Sequence, residues 1–280
     1  MYGSTDNKMP ARKAPTVAEV RAGGQPPGLK DRRNEEHWAG RLYMRTASPY
    51  FSWLFLRVGL SPNQLTYLMI VCGVLGGVAV ALVPSGPAGL VAAAVGALLI
   101  QVYLLLDCSD GEVARYSERT SITGVYLDRI GHYLSEVALL VGLGVRAQGA
   151  FESGGWFELG LIAALGAVLI KAETDNVVVA RAKSGLPAEP GTGDRALRPR
   201  STGLALARQI ASMLRFHRII GAVELSLLIL AAALVDVLVL HADGADEWTA
   251  TRVLTVAVAA VAVLQTVLHF ISIVASRRLR

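Results

Sequence analysis

The sequence predicts an all-α, polytopic membrane protein: six transmembrane helices, with an interfacial amphipathic helix ahead of the first. Three observations predict it. Of the 280 residues, 53% are hydrophobic and only 18% charged, where a soluble domain carries about a quarter charged. The charges are clumped into residues 1–57, 106–130, 171–218 and the last four positions, leaving long apolar runs between. Basic residues gather in alternate loops, as expected of a chain that crosses a bilayer repeatedly.

Residues 1–36 are polar and charged and contain Pro10, Pro15, Pro26 and Pro27 with Gly23 and Gly24. Such a composition buries too little apolar area to fold by itself and does not read as a signal peptide. Residues 1–44 are therefore expected to be a flexible polar cytoplasmic tail, and residues 45–280 the membrane domain. From Ala47 to Leu60 the chain mixes Tyr50, Phe51, Trp53, Leu54, Phe55 and Leu56 with few charges. That stretch is too short to span and too apolar to stay in water, so it reads as a helix lying on the cytoplasmic leaflet. A second such helix is expected over Ser201–Phe216.

Six runs approach the roughly 20 residues a spanning helix needs. They are Leu65–Val83, closed by the turn Pro84-Ser85-Gly86-Pro87, then Ala88–Leu106, Val125–Val145, Phe157–Val179, Ile219–Leu240 and Val253–Ile273. Arg41, Arg45 and Arg57 precede the first. Arg181, Lys183, Arg195, Arg198, Arg200, Arg208, Arg215 and Arg218 lie between the fourth and fifth, and Arg277, Arg278 and Arg280 follow the last. The opposite loops hold mainly Glu152, Glu158, Asp243, Asp246 and Glu247, with Arg146 as the exception. The expectation is an integral plasma-membrane protein with both termini and its active site cytoplasmic. This accounts for the net charge of +5 without nucleic acid. Cys72 and Cys108 fit neither a metal motif nor a disulfide framework and read as unpaired thiols in a reducing compartment.

The chemistry concentrates where the second predicted span ends and the third begins. Asp107 and Asp110 stand three apart on one helical face, and Asp128 comes from the first turn of the next helix. Three carboxylates converging at a membrane margin repel one another, and each is costly if left unpaired at bilayer depth. A divalent cation offsets both, and oxygen ligands suit Mg²⁺ or Mn²⁺. Any one of these residues alone reads equally well as a helix-dipole partner or part of a solvated acidic loop.

As a set they resemble the signature of the CDP-alcohol phosphotransferases (CDP-alcohol phosphatidyltransferases): Asp, two residues, Asp-Gly, two residues, Ala-Arg, eight residues, Gly, three residues, Asp, three residues, Asp. The chain matches at Asp107, Asp110, Gly111, Ala114, Arg115, Gly124 and Asp128, and the resemblance covers roughly residues 45–275. It implies a membrane transferase that moves a phosphoalcohol, such as phosphatidyl, from a CDP-linked donor (CDP-diacylglycerol or another CDP-alcohol) to an acceptor hydroxyl. CMP is released, in the synthesis of a phospholipid or related phosphodiester. It further implies that Asp107, Asp110 and Asp128 hold one or two divalent metals, that Gly111 and Ala114 let the nucleotide approach the backbone, and that Arg115 pairs with a phosphate or braces a carboxylate. Asn63 and Thr66, in Ser61-Pro62-Asn63-Gln64-Leu65-Thr66, resemble the family segment that opens the first span. There they contact the cytidine end or simply cap the helix. A homodimer is the family habit, and Gly73, Gly76, Gly77, Gly86, Gly89 and Gly96 would permit close helix packing.

One position departs. Where the family has its fourth Asp, a metal ligand and proposed general base, this chain has His132. An imidazole can ligate a metal or abstract a proton, and Glu136 one turn on is a second candidate base. The alternative is a catalytically degenerate homologue that binds the CDP nucleotide without turnover. Prenyl transfer also uses aspartates and Mg²⁺ but lacks the Asp-Gly, two residues, Ala-Arg element. Transport finds no inverted repeat or broken-helix pair to support it. Lys171 and Arg181, with Arg215 or Arg218, are candidates for receiving an anionic acceptor such as a phosphorylated polyol. They read equally as snorkelling or paired charges, as do Glu173, Asp175, Glu224, Asp236 and His269.

Overall fold

In the computed structural model, residues 15–28, 38–82, 86–149, 153–187, 220–240, 248–275 and 279 are described, and every regular element among them is a helix. The helices are α1 (Val17–Gly24), α2 (Arg45–Val58, entered through a π-turn at Gly40–Met44), α3 (Pro62–Leu82), α4 (Gly86–Tyr116), α5 (Ile122–Gln148), α6 (Gly155–Lys183), α7 (Ala222–Val235, extended by a π-turn at Asp236–Leu240) and α8 (Thr249–Ala275). The chain divides into two compact units. The first comprises Met1–Tyr67 and Leu104–Leu127, the second Leu68–Tyr103 and Asp128–Arg280.

Five helices are long and apolar enough to cross a membrane: α3, α4, α6, α8 and, with its π-turn, α7 over Ala222–Val239. The chain is a polytopic membrane protein. Its third expected span corresponds to α5, which at 27 residues is long enough but carries Asp128, Arg129, His132, Glu136 and Arg146. Those side chains hold its hydropathy below that of the other five. The surfaces of the apolar helices are inverted relative to a soluble protein. Val71, Leu75, Val78 and Leu82 on α3, and Val91, Val95, Leu98 and Val102 on α4, form exposed apolar stripes at helical spacing, as lipid requires.

In the first unit α1 opens on a capping box in which Thr16 and Glu19 satisfy each other's backbone donors. Val20 and Gly24 are buried, so part of the stretch whose composition reads as a tail is a helix with a packed face. In α2 the buried side is polar, with Ser48 and Ser52 fully enclosed, while Tyr50, Phe51, Leu54 and Val58 are exposed. A helix dissolved in water does the reverse; this pattern suits one lying on a bilayer. The second interfacial helix expected over 201–216 lies outside the described residues. α3 begins with a further box, Ser61 Oγ accepting from Gln64 N at 3.3 Å and Gln64 Oε1 from Ser61 N at 2.9 Å, with Pro62 in the first turn, where its missing N–H costs nothing.

In the second unit small residues bring the helices together. A Cβ added to Gly96 would lie 3.0 Å from the Gly76 carbonyl oxygen, and one added to Gly144 would lie 2.8 Å from Gly160 Cα. The backbones of α3 and α4, and of α5 and α6, therefore touch, the packing that lipid-embedded helices use when burial of apolar surface gives them no drive to associate. Arg146, the exception in the charge pattern, is 2% exposed, and its Nη1 donates to the Gly89 carbonyl at 3.0 Å. Asp236 accepts from Ala250 N, Thr251 N and Thr251 Oγ1 at 2.6 to 3.0 Å and so caps the start of α8. Neither Cys72 nor Cys108 is in a disulfide among the described residues.

Candidate active site

Most of the motif lies in the first unit, on the last turns of α4. Asp107 is half-buried and Asp110 buried, one turn apart. Thr66, from the first turns of α3, is 3% exposed, and its Oγ1 donates to Asp110 Oδ2 at 2.7 Å. Its polar atom is thus turned onto a motif carboxylate. Asn63, one turn earlier, approaches the start of α5: a Cβ on Gly124 would lie 3.2 Å from Asn63 Oδ1 and equally near Ser121 Oγ. A side chain there would make both neighbours give way by a few tenths of an ångström. Gly124 N–H donates to Ser121 Oγ at 3.0 Å. Gly111 leaves room in the same way for Arg115, whose Nη1 and Nη2 would lie 3.0 and 3.3 Å from a Cβ built there. The Nε of Arg115 donates to the Gly24 carbonyl at 2.6 Å. Ala114, half-buried, stands between them in sequence.

Sequence reasoning passed over Glu112, which the signature leaves unspecified. It is 0% exposed, accepts from Ser48 Oγ at 2.5 Å, Ser52 Oγ at 2.7 Å and Gln25 Nε2 at 2.8 Å, and faces Arg45 Nη1 at 3.5 Å. A buried carboxylate requires such company. The inward serines of α2, spaced four apart, were the available signal.

The remaining residues lie in the second unit. His132 Nε2 is 3.5 Å from Asp128 Oδ1, one turn apart on α5. The other ring nitrogen, Nδ1, shares a short hydrogen bond with the Tyr103 hydroxyl, and the rings meet edge to face with centroids 5.8 Å apart. The ring is thereby held from both sides. Tyr103 lies inside an apolar run one turn before Asp107, and nothing in its own pattern distinguishes it from core. Glu136 is engaged elsewhere: its Oε1 is 2.9 Å from Lys171 Nζ, with only 14% of its side chain exposed. Lys171 also sits over the Tyr133 ring at 5.5 Å, Tyr133 donates to Asp175 Oδ2 at 2.9 Å, and Arg129 pairs with Asp175. This polar ladder joins α5 to α6. Arg181 Nε donates to the Pro187 carbonyl at 2.9 Å, and Thr174 Oγ1 lies 3.0 Å from His269 Nε2. Arg215 and Arg218 are outside the described residues.

In the first unit Asp107 and Asp110 supply carboxylate oxygens, and in the second Asp128 supplies a carboxylate and His132 an imidazole. These are ligand types that Mg²⁺ and Mn²⁺ accept.

Comparison with protein families agrees with the residues. The family model described as CDP-alcohol phosphatidyltransferase matches residues 59–239, well over half of the chain and inclusive of every motif position. No curated protein matches the chain.

Proposed function

The chain belongs to the CDP-alcohol phosphatidyltransferase family, and from that premise we propose that it is an active transferase, moving a phosphoalcohol from a CDP-linked donor to an acceptor hydroxyl with release of CMP. Members of this family bind a CDP-alcohol donor and an alcohol acceptor and use a divalent metal. The observation that carries activity rather than mere nucleotide binding is the setting of His132. It stands at the fourth motif position with Nδ1 engaged by Tyr103 and Nε2 turned to Asp128, the posture of a ring kept for use.

In this reading Asp107, Asp110 and Asp128 form the metal-binding side of the site, and the acceptor's proton goes to His132 Nε2, the ring nitrogen that Tyr103 does not engage. The acceptor oxygen then attacks the phosphorus that carries the alcohol, the bond from that phosphorus to the CMP oxygen breaks, and CMP departs. A bound Mg²⁺ or Mn²⁺ neutralises charge on the diphosphate and on the leaving phosphate. Thr66 holds Asp110 in place. Arg115 receives a donor phosphate, and Gly111 and Ala114 keep the backbone open to the nucleotide. Asn63 and Gly124 border that nucleotide. Glu136, tied to Lys171, orders α5 against α6 and leaves the base role to His132. The acceptor is a hydroxyl compound, a phosphorylated polyol among the candidates. The protein works as a homodimer in the plasma membrane with α5 as its sixth crossing and the site on the cytoplasmic face.

The test is CMP release by the purified protein with Mg²⁺ or Mn²⁺ across a panel of CDP-linked donors and hydroxyl acceptors. Metal-dependent release that disappears in Asp128→Asn and His132→Ala but persists in His132→Asp is expected. Release that appears only in His132→Asp would instead make the natural chain a binding protein on an enzyme's frame.

A further inference from the structure

We propose that α1 and the two residues that end it are a working part of the site: the Gly24 carbonyl and the Gln25 side chain aim Arg115 at the donor's phosphate. The inference rests on the reading of Arg115 given above and concerns residues well outside the 59–239 span of the family match.

A proline inside a helix has no N–H for the carbonyl four residues back, and Pro49 lies within α2, so the Arg45 carbonyl loses its helical donor. Gln25 Nε2 fills that place at 2.7 Å and also donates to Glu112 Oε1 at 2.8 Å. One amide thereby ties the end of α1 both to α2 and to the motif helix α4. Further bonds hold the segment down. Pro15 O accepts from Trp53 Nε1 at 2.8 Å, and the Arg21 guanidinium lies over the Tyr50 ring at 5.8 Å.

So fixed, Gly24 rests directly on Glu112: a Cβ there would meet Glu112 Cβ and its carbonyl oxygen at 3.1 Å. No other residue type allows that approach without displacement. The approach brings the Gly24 carbonyl to Arg115 Nε at 2.6 Å. A guanidinium is a planar fork, so fixing Nε fixes the plane and direction of both terminal nitrogens. Those nitrogens lie over Gly111, the residue adjoining Asp110. An arginine on an unrestrained stem would lose rotamer freedom each time it gripped a phosphate. Here the fold has already removed it, and preorganisation of this kind appears as affinity.

The experiment uses the full chain in detergent and measures binding of CDP in the presence of Mn²⁺, with CMP release from a CDP-linked donor and thermal unfolding followed in parallel. The variants are Gly24→Val, Gln25→Ala, Arg115→Ala and Gly24→Val combined with Arg115→Ala. Gly24→Val is expected to weaken CDP roughly tenfold, the worth of one hydrogen bond to a charged group, and Gln25→Ala to do so a few-fold. In the Arg115→Ala background Gly24→Val should add nothing, because its target is gone. An equal loss in both backgrounds overturns the proposal, since α1 would then act otherwise than through Arg115. Wild-type affinity in a folded Gly24→Val, or in Gln25→Ala should the former not fold, also overturns it while leaving the family reading of the site intact. A natural chain that neither binds CDP nor releases CMP overturns the nucleotide reading itself and this inference with it.

Discussion

Thr66 and Asp110 meet through a 2.7 Å hydrogen bond between two buried side chains, one opening α3 and the other ending α4. A hydroxyl donating to a carboxylate contributes about 1.5 to 3 kcal/mol, and here it also restrains the Asp110 side chain. Thr66→Val is expected to lower metal-dependent CMP release roughly ten- to hundredfold and to raise the Mn²⁺ concentration needed for half-maximal rate. Thr66→Ser, which keeps the donor, should stay near the natural level. A Mn²⁺ titration of all three proteins checks this.

Tyr103 holds the far nitrogen of His132, and loss of a hydrogen bond that orients a working imidazole costs roughly ten- to a hundredfold in activity. Tyr103→Phe is expected to lower the maximal rate by that order while leaving the donor KM unchanged. In His132→Asp, which has no ring to orient, the same substitution should be nearly silent. Steady-state CMP release in the two backgrounds separates the outcomes.

Glu112 is the polar centre of the first unit. Glu112→Ala leaves Arg45, 12% exposed, without its carboxylate and Ser48 and Ser52 without their acceptor. Breaking a buried pair in this way costs about 3 to 5 kcal/mol. Thermal unfolding in detergent should show Glu112→Ala strongly destabilised. Glu112→Gln, which still accepts from a serine, should fall between it and the natural chain.

Gly160 and Gly144 set the distance between α5 and α6. Gly160→Leu must push a side chain into the Leu140 carbonyl oxygen and Gly144 Cα, 2.9 and 2.7 Å from where its Cβ would be. Backbone cannot yield as a side-chain tip does, so the cost is expected to reach or exceed the roughly 1 to 3 kcal/mol of an overpacked core. Loss of monodispersity on gel filtration, milder in Gly160→Ala, is the expected reading.

What the sequence made legible was whatever depends on local pattern. The spacing from Asp107 to Asp128 led to the family. Apolar runs marked α3, α4, α6, α7 and α8, and the aromatic cluster 50–56 marked α2. What escaped depends on long-range partners. Glu112 looks like any exposed acid of a polar loop until Ser48, Ser52 and Gln25 are brought to it. Arg146 looks like a violation of the charge rule until Gly89 offers a carbonyl. Tyr103 reads as core because an aromatic in an apolar run usually is. Residues 15–28 read as a tail because composition averages over them. The Thr16-to-Glu19 capping box was the local sign of a helix there, and only the burial of Val20 and Gly24 gives that helix a surface to rest on. Thr66 carried two readings, nucleotide contact or helix cap, and neither included the bond its hydroxyl makes to Asp110.

The polar content of α5 bears on how the protein is made. Asp128, Arg129, His132 and Glu136 are each expensive to place in hydrocarbon one helix at a time, by about 2.5 to 3.5 kcal/mol for an aspartate or arginine at mid-depth. A nascent chain halted just after Gln148 would offer the insertion machinery a segment it has little reason to release into lipid. The partners that make α5 tolerable include Lys171 and Asp175, and these are synthesised later, on α6. We therefore expect α5 to enter the bilayer late and in company, so that a reporter fused after Gln148 registers incomplete insertion and one fused after Lys183 registers the finished topology. If α5 is the sixth crossing proposed above, these polar residues would make its membrane integration a cooperative event rather than a sequential one.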